Sequence, residues 1–444
     1  MASSSDPTGD VTELLQQLIR NGCVNDGSAE SGGEERSAAT LGQHFTGLPM
    51  QRYQSAPGRE SLLVRIEGSD PSAPTLMLMG HTDVVPVSED GWSRDPFGGE
   101  LADGWVWGRG AIDMLNITAS MAVAVRNVMR SGFRPRGTLL YLGVADEEAG
   151  GTYGARWLCD TARDDITCTW CITESGGVGV DTPGGRRVWT AVGEKGVNWL
   201  RLTVRGTPSH GSRPLRTDNA LVKAAEIVRR IAEHRPGPIF TDAWRRWVTL
   251  MGFDDDMGDA LTNPDRIWQA IDELPLIQAR NAHACTHLTA APTVMHGGTK
   301  TNVIPDHVDL EVDFRTVLGQ TGEDVDRLLR DALGELYAEV EVSVIQADDP
   351  SESPVETPIY EAMARAARSL VPDVTLLPTV TTGGTDARFF REMGIPSYGF
   401  GLFSDAMSME QWSTMFHGND ERVDQESLRL STLLWETIIR DVLG

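Results

Sequence analysis

Histidines and carboxylates recur in this chain just after apolar runs, a placement that suits metal-assisted chemistry. Thr75–Met79 (TLMLM) is a continuous apolar run closed by Gly80, and His81 follows at once. A side chain at the end of a buried strand projects from a rigid frame and makes a well-held ligand. Asp83 sits two residues further, on the same side of an extended chain, where it can take the imidazole N–H and fix the tautomer. In WGRGAIDM, Gly108 and Gly110 permit a tight turn before Asp113, which stands where the next helix begins; a helix cap is the plainer use of that aspartate. Asp146, Glu147 and Glu148 follow the strand-like GTLLYLGVA. Three acids at a buried strand end are costly unless a cation compensates, although a solvated loop would also accommodate them. Adjacent glutamates suit a division of labour in which one binds metal and the other moves protons. Glu174 follows the apolar run 169–173, and His417 lies in MFHGNDE near the C-terminus. Each signal is modest alone. Together the junctions deliver histidines and carboxylates to one edge of one sheet, the usual place for an α/β active site. A mixed set with one shared aspartate suits two divalent ions of the zinc, cobalt or manganese type.

The elements that must position these groups alternate along the chain. Helical spacing covers 11–20, 117–130 and 154–160; strands are expected at 61–67, 75–79, 137–144 and 169–173. Strands alternating with helices predict an α/β fold, a central sheet with helices on both faces. Near Val192 the pattern changes. Strand 196–205, helix 219–234, a strand within 303–314, helix 322–337 and strand 338–346 follow in the order of a ferredoxin-like α+β unit. The α/β signature returns with helix 358–370, a strand near 396–400 and a final helix at 426–442. The expected organisation is a catalytic domain in two parts, 1–191 and 348–444, with 192–347 inserted between them. A stretch at about 237–290, rich in Trp and acidic residues, reads as a further helical insertion.

Composition narrows the function classes. The formal charge of −25, from 39 Lys plus Arg against 64 Asp plus Glu, argues against a nucleic-acid partner, which needs a basic footprint. No run of 18 apolar residues is present, so no membrane span is expected. The polar, acidic start Met1–Asp10 does not resemble a secretory signal. The odd, scattered set of five cysteines fits the reducing cytosol, and the lone pair Cys168 and Cys171 reads as strand core.

MGHTDVVP, GRGAIDM, DEEAGG, TESG and HGNDE, in this order and spacing, resemble the aminoacylase/carboxypeptidase family of dizinc hydrolases, over nearly the whole chain. That family includes acetylornithine deacetylases, succinyl-diaminopimelate desuccinylases, glutamate carboxypeptidase and dipeptidases. The resemblance implies a zinc-exopeptidase-type catalytic domain and an inserted lid that dimerises. It implies His81, Asp113 and Glu174 on one zinc and Asp113, Glu148 and His417 on the other. Asp113 would bridge, Asp83 would orient His81, and Glu147 would be the general base that later protonates the leaving amine. RGTPSHGSRP resembles the family loop whose histidine, here His210, reaches the partner subunit's site. In GGTKTNVIPDHVDLEVDFR, Asn302 would meet the substrate carbonyl and Arg315 its carboxylate, while the Gly383–Gly384–Thr385 loop would present backbone N–H groups. Asp386 would support that loop. The family's Lys-Gly after GRGxxDM is replaced by Leu115 and Asn116, which leaves the ligands in place but changes the surroundings of Asp113. The length of the insertion and the segment GGTKTNVIPD look closest to carboxypeptidase S-like and N-acyl-amino-acid hydrolase branches. Trp244, Trp247 and Trp268 would then line an acyl pocket or pack the insertion.

The expected activity is metal-dependent hydrolysis of an N-acyl-amino acid or short peptide with a free α-carboxylate. A dinuclear phosphoesterase would need basic clamps that these motifs lack. A non-catalytic metal-binding homodimer would be expected to have lost a ligand or the base, yet all six positions carry the required residue types.

Overall fold

The computed structural model describes residues 6–444; Met1–Ser5, part of the stretch in which no signal peptide is expected, lies outside them. Two sheets organise the chain. The larger is ten-stranded and mixed, and its centre explains the placement of the chemistry. Thr138–Val144, Thr75–His81, Trp170–Thr173 and Ser397–Gly399 run parallel side by side, so their C-terminal ends share one edge. Their residues are apolar on both faces because helices cover both. Leu115–Arg130 and Gln425–Leu443 pack together on one side, with Trp435 fully buried between layers. Ala155–Thr161 and Ala387–Glu392 close the other.

The smaller sheet is antiparallel, ordered Thr289–Gly297, His307–Thr316, Gly196–Arg205, Val340–Asp348. With helices Ala220–Glu233 and Gly322–Leu333 on one face, it has the strand order of a ferredoxin-like unit. Leu200, Leu202 and Val204 alternate inward and meet Val308, Leu310 and Val312 from the neighbouring strand. This separate core is what the period-two pattern of 196–205 requires.

The insertion forms four helices between Asp242 and Thr286. It lies within the 192–347 segment by sequence, yet it buries its apolar face in the larger core, beside Leu376, Leu377 and Val380. Trp244 and Trp247 stack at 4.8 Å inside it, and the Trp244 indole N–H donates to the carbonyl of Leu261. Strands Gly176–Thr182, Gly185–Glu194 and Thr375–Thr381 extend the larger sheet beyond the expected set. Their pairing partners are distant in sequence or Gly-rich, so period alone did not mark them. All five cysteines are unpaired and buried. Among the described residues, no helix is long and apolar enough to cross a membrane.

Candidate metal centre

His81 is the last residue of its strand, and local packing dictates its pose. Gly80 has no room for a side chain: a Cβ there would fall 2.3 Å from the Thr118 hydroxyl. That hydroxyl donates to the His81 carbonyl at 2.8 Å. His81 Nδ1 lies 2.9 Å from the backbone carbonyl of Asp83, which can only accept, so Nδ1 carries the proton and Nε2 is left as a ligand atom. The carboxylate of Asp83 is 3.7 Å from the ring. It instead accepts from the N–H groups of Glu147 and Glu148 and from Asn25 Nδ2. Asp83 thus orients the imidazole through its backbone and holds the acidic loop through its side chain.

Asp113 stands between two histidines. Its carboxylate oxygens lie 3.1 Å from His81 Nε2 and 2.9 Å from His417 Nε2. Glu174 is 3.8 Å from the first histidine and Glu148 is 3.4 Å from the second. Two donor sets result, His81–Asp113–Glu174 and Asp113–Glu148–His417, each with its atoms within 4.8 Å of one another. Both pass the chemical test for a divalent ion of the zinc type. The donors are mixed nitrogen and carboxylate oxygen, and Glu148 Oε1 is buried with no hydrogen-bond partner.

The electrostatics match a site built around cations. Burial pushes the carboxyls of Glu147 and Glu174 well above the ordinary range, and neighbouring acids add to the effect. Burial, with Asp113, raises Glu148 to about 7. Burial opposes ionisation of Asp113 too, but hydrogen bonds from His417 and His81 hold its carboxyl well below the usual value. Those same bonds, to Asp113 and Glu148, raise His417 to about 10. Without metal, protons shared among acids and histidines are the only compensation; a divalent ion supplies it directly.

Glu421 is the residue that sequence reasoning missed. It is fully buried, and its two oxygens accept from the N–H groups of Gly110, Ile112 and Asp113 and pair with Arg109. It fixes the loop that carries Asp113. The only signal was its position four residues after His417, which reads as an ordinary acidic tail to the motif. A similar brace surrounds Asp146, whose φ of 69° aims the following acids: Arg59, Glu34 and Asn25 enclose it.

The centre opens into a cavity of about 1060 Å³ whose lining includes Asp113, Glu147, Glu148, Glu174 and His417. Arg315, Gly383 and Gly384 also line it. Thr385 is buried and its N–H is taken by Glu194 Oε2 at 2.5 Å, so it does not offer the backbone donor expected of it. Asp386 lies beneath the loop, fully buried, with both oxygens unpartnered and burial raising it to about 7. His210 and Asn302 are not in the cavity wall; they sit together on a ribbon pairing Ser209–His210 with Val303–Ile304. The expected tryptophans are not in this wall either. Trp244 and Trp247 pack the insertion and Trp268 lines a separate cavity, whereas Trp189, Trp199 and Trp412 line this one.

A mixed α/β sheet with two linked carboxylate–histidine sets at its strand ends defines a metal-dependent hydrolase. The chain belongs to peptidase family M20/M25/M40, whose model matches residues 77–441. It is 30% identical over 353 residues to the N-fatty-acyl-amino acid synthase/hydrolase PM20D1 of Homo sapiens, covering 77% of this chain and 69% of that protein. It is 29% identical over 373 residues to the succinyl-diaminopimelate desuccinylase of Cereibacter sphaeroides, covering 83% of each. The crystal structure of the M20 family metallo-carboxypeptidase Sso-CP2 from Sulfolobus solfataricus superposes with a TM-score of 0.73 at 17% identity, over 98% of this chain and 99% of that one. The protein is a metal-dependent amide hydrolase.

Proposed function

We propose that the protein hydrolyses N-acyl-amino acids with an apolar acyl group, using two zinc ions that His81, Asp113, Glu148, Glu174 and His417 would hold, Asp113 being common to both donor sets. The observation that carries this reading is the pair of donor sets sharing Asp113 at the base of a cavity that also contains Glu147. When bound, the ions would polarise the scissile carbonyl and acidify a water. Glu147 takes the proton of the attacking water and delivers it to the leaving amine nitrogen as the C–N bond breaks. Its raised pKa, caused first by burial, suits a group that must both accept and donate a proton. The tryptophans 189, 199 and 412 and Phe416 supply an apolar wall, and the volume accommodates a long chain. The resemblance to an N-fatty-acyl-amino acid hydrolase supports the same substrate class.

His210 and Asn302 lie outside this chain's own cavity, which favours their service to a partner subunit's site. Ser212 N–H donates to His210 Nδ1 at 3.1 Å, so Nε2 carries the ring's proton and faces outward as a donor for an oxyanion. The edge strand Val340–Asp348 exposes Val344 and Ile345 and offers a dimer seam in the smaller sheet. That sheet and its helices would act as lid and dimerisation unit, joined to the catalytic part through Glu194–Gly196 and Asp348–Ser351. Five unpaired buried cysteines support a cytosolic setting.

The test is a screen of metal-loaded protein on N-acetyl, long-chain N-acyl and dipeptide substrates, with Glu147→Gln alongside. Long-chain N-acyl substrates should be preferred, Glu147→Gln should lower kcat about 100- to 10,000-fold with metal content unchanged, and a chelator should abolish turnover. Hydrolysis that survives chelation would overturn the metal reading, and full activity in Glu147→Gln would remove the base.

A further inference from the structure

The cavity wall includes three arginines, and they differ in what already holds them. Arg315 gives Nε and Nη2 to Asp313 in a bidentate pair at 2.7 and 3.0 Å, so its charge is matched on its own strand. Arg388 is buried and donates to the carbonyls of Thr385 and Gly150. Arg280 is exposed on the cavity wall and has neither an ion pair nor a hydrogen-bond acceptor among the described residues. It belongs to the insertion, outside every motif singled out in the sequence.

Its position follows from the helix that carries it. In Leu276–Thr286, residues Ile277, Arg280, Asn281 and Ala284 line the cavity at the spacing of a single helical face. The opposite face is anchored: Ala282, Cys285 and Thr286 are buried, and Cys285 Sγ lies 3.6 Å from the carbonyl of Val380. Asn281 and Cys285 share a small gap with Thr379 and Val380. The strand Thr375–Thr381 runs from there directly into the Gly383–Gly384 loop. A Cβ on Gly383 would meet only open space, and neither glycine N–H has an acceptor among the described residues. A free guanidinium and two free backbone donors therefore stand on neighbouring stretches of one wall.

We propose that Arg280, with the N–H groups of Gly383 and Gly384, receives the α-carboxylate of the substrate, so that the helical insertion rather than Arg315 alone sets the requirement for a free acid. A guanidinium can grip a carboxylate through two parallel N–H bonds, and successive backbone donors add to it. A substrate anion also needs a cation with free donors: Arg315 is paired with Asp313 and Arg388 is buried on two backbone carbonyls, whereas Arg280 is exposed with no partner among the described residues. The assignment rests on the N-acyl-amino-acid reading of the site.

Two measurements on metal-loaded protein test it. The first compares an N-acyl-amino acid with its methyl ester. The native enzyme should prefer the acid; Arg280→Ala should raise KM for the acid about 10- to 100-fold with little change in kcat, collapsing the acid-over-ester preference. Arg280→Lys should keep part of it. The second is calorimetric titration of the acid into Glu147→Gln, with and without Arg280→Ala, where affinity should fall by the same factor. Acid-over-ester preference or acid affinity unchanged by Arg280→Ala overturns the proposal. The titration needs no turnover, so it decides the role of Arg280 even if the native protein hydrolyses neither compound.

Discussion

Asp113 is the residue on which both donor sets converge, yet its position is enforced by another side chain. Glu421 collects three backbone N–H groups of the 110–113 loop and the Arg109 guanidinium in a fully buried setting. Replacing it by glutamine leaves the shape but removes the charge, and the amide NH2 faces donors it cannot accept from. Removing one partner of a buried ion pair costs about 3–5 kcal/mol. Loss of a group that orients a ligand weakens metal affinity about 10- to 100-fold. Glu421→Gln is therefore expected to lower the urea midpoint and the metal content together. A variant of native stability that keeps its full complement of metal would show that the loop holds its pose without the brace.

Among the elements, the junction of the two sheets carries a buried pair with opposite tasks. Glu194 ends one strand and ties to Thr385, Ser351 and Arg391; Lys195 follows and donates to the His287 carbonyl and the Thr289 hydroxyl. Burial lowers Lys195 from its ordinary 10.5 to about 7. Between those values the unfolded chain binds the proton and the folded chain does not. Stability from this group accordingly rises with pH from about 7 to 10.5 and is lost as pH falls through that window. Unfolding midpoints across the window should climb less steeply in Lys195→Met than in the native protein. Equal slopes would show that the lysine is solvated in the folded state. The same junction joins the smaller sheet to the catalytic core, so its packing bears on how the lid sits over the cavity.

For the molecule as a whole, the question is what completes the centre. The cavity wall carries Asp113, Glu148, Glu174 and His417 with Glu147, Arg280 and Arg315, but His210 and Asn302 are not part of it. If a partner supplies His210, a dimer mixing His210→Ala and Glu147→Ala protomers holds one intact site. An equal mixture of the two inactive variants should recover about a quarter of native activity, because half the dimers are mixed and each has one working site. The recovery is read as turnover after subunit exchange, with the mass in solution checked in parallel. Recovery no greater than the sum of the separate variants would assign His210 a role within its own chain or none.

Much of this arrangement was legible before folding, where the information is local. Helix 358–370 and strand 196–205 occupy their expected bounds because caps and apolar periodicity act within a few residues. The acids at 146–148 and Glu174 announced themselves because a charge beside a buried strand needs compensation, and parallel strands must end on one edge. Strand 375–381 escaped because its partner is set by long-range pairing, and strands 176–182 and 185–194 because the Gly-rich hairpin they form blurs the period-two pattern. The aromatic part of the cavity wall escaped because Trp189 and Trp412 are far apart in sequence, while Trp244 and Trp247, close together and conspicuous, pack inward. By itself the sequence determined which residue types could hold metal and where strands would present them. Only the tertiary structure decided that Asp83 braces a loop, that Glu421 sets Asp113, and that Arg280 faces the site, because burial and charge neutralisation depend on neighbours from distant segments.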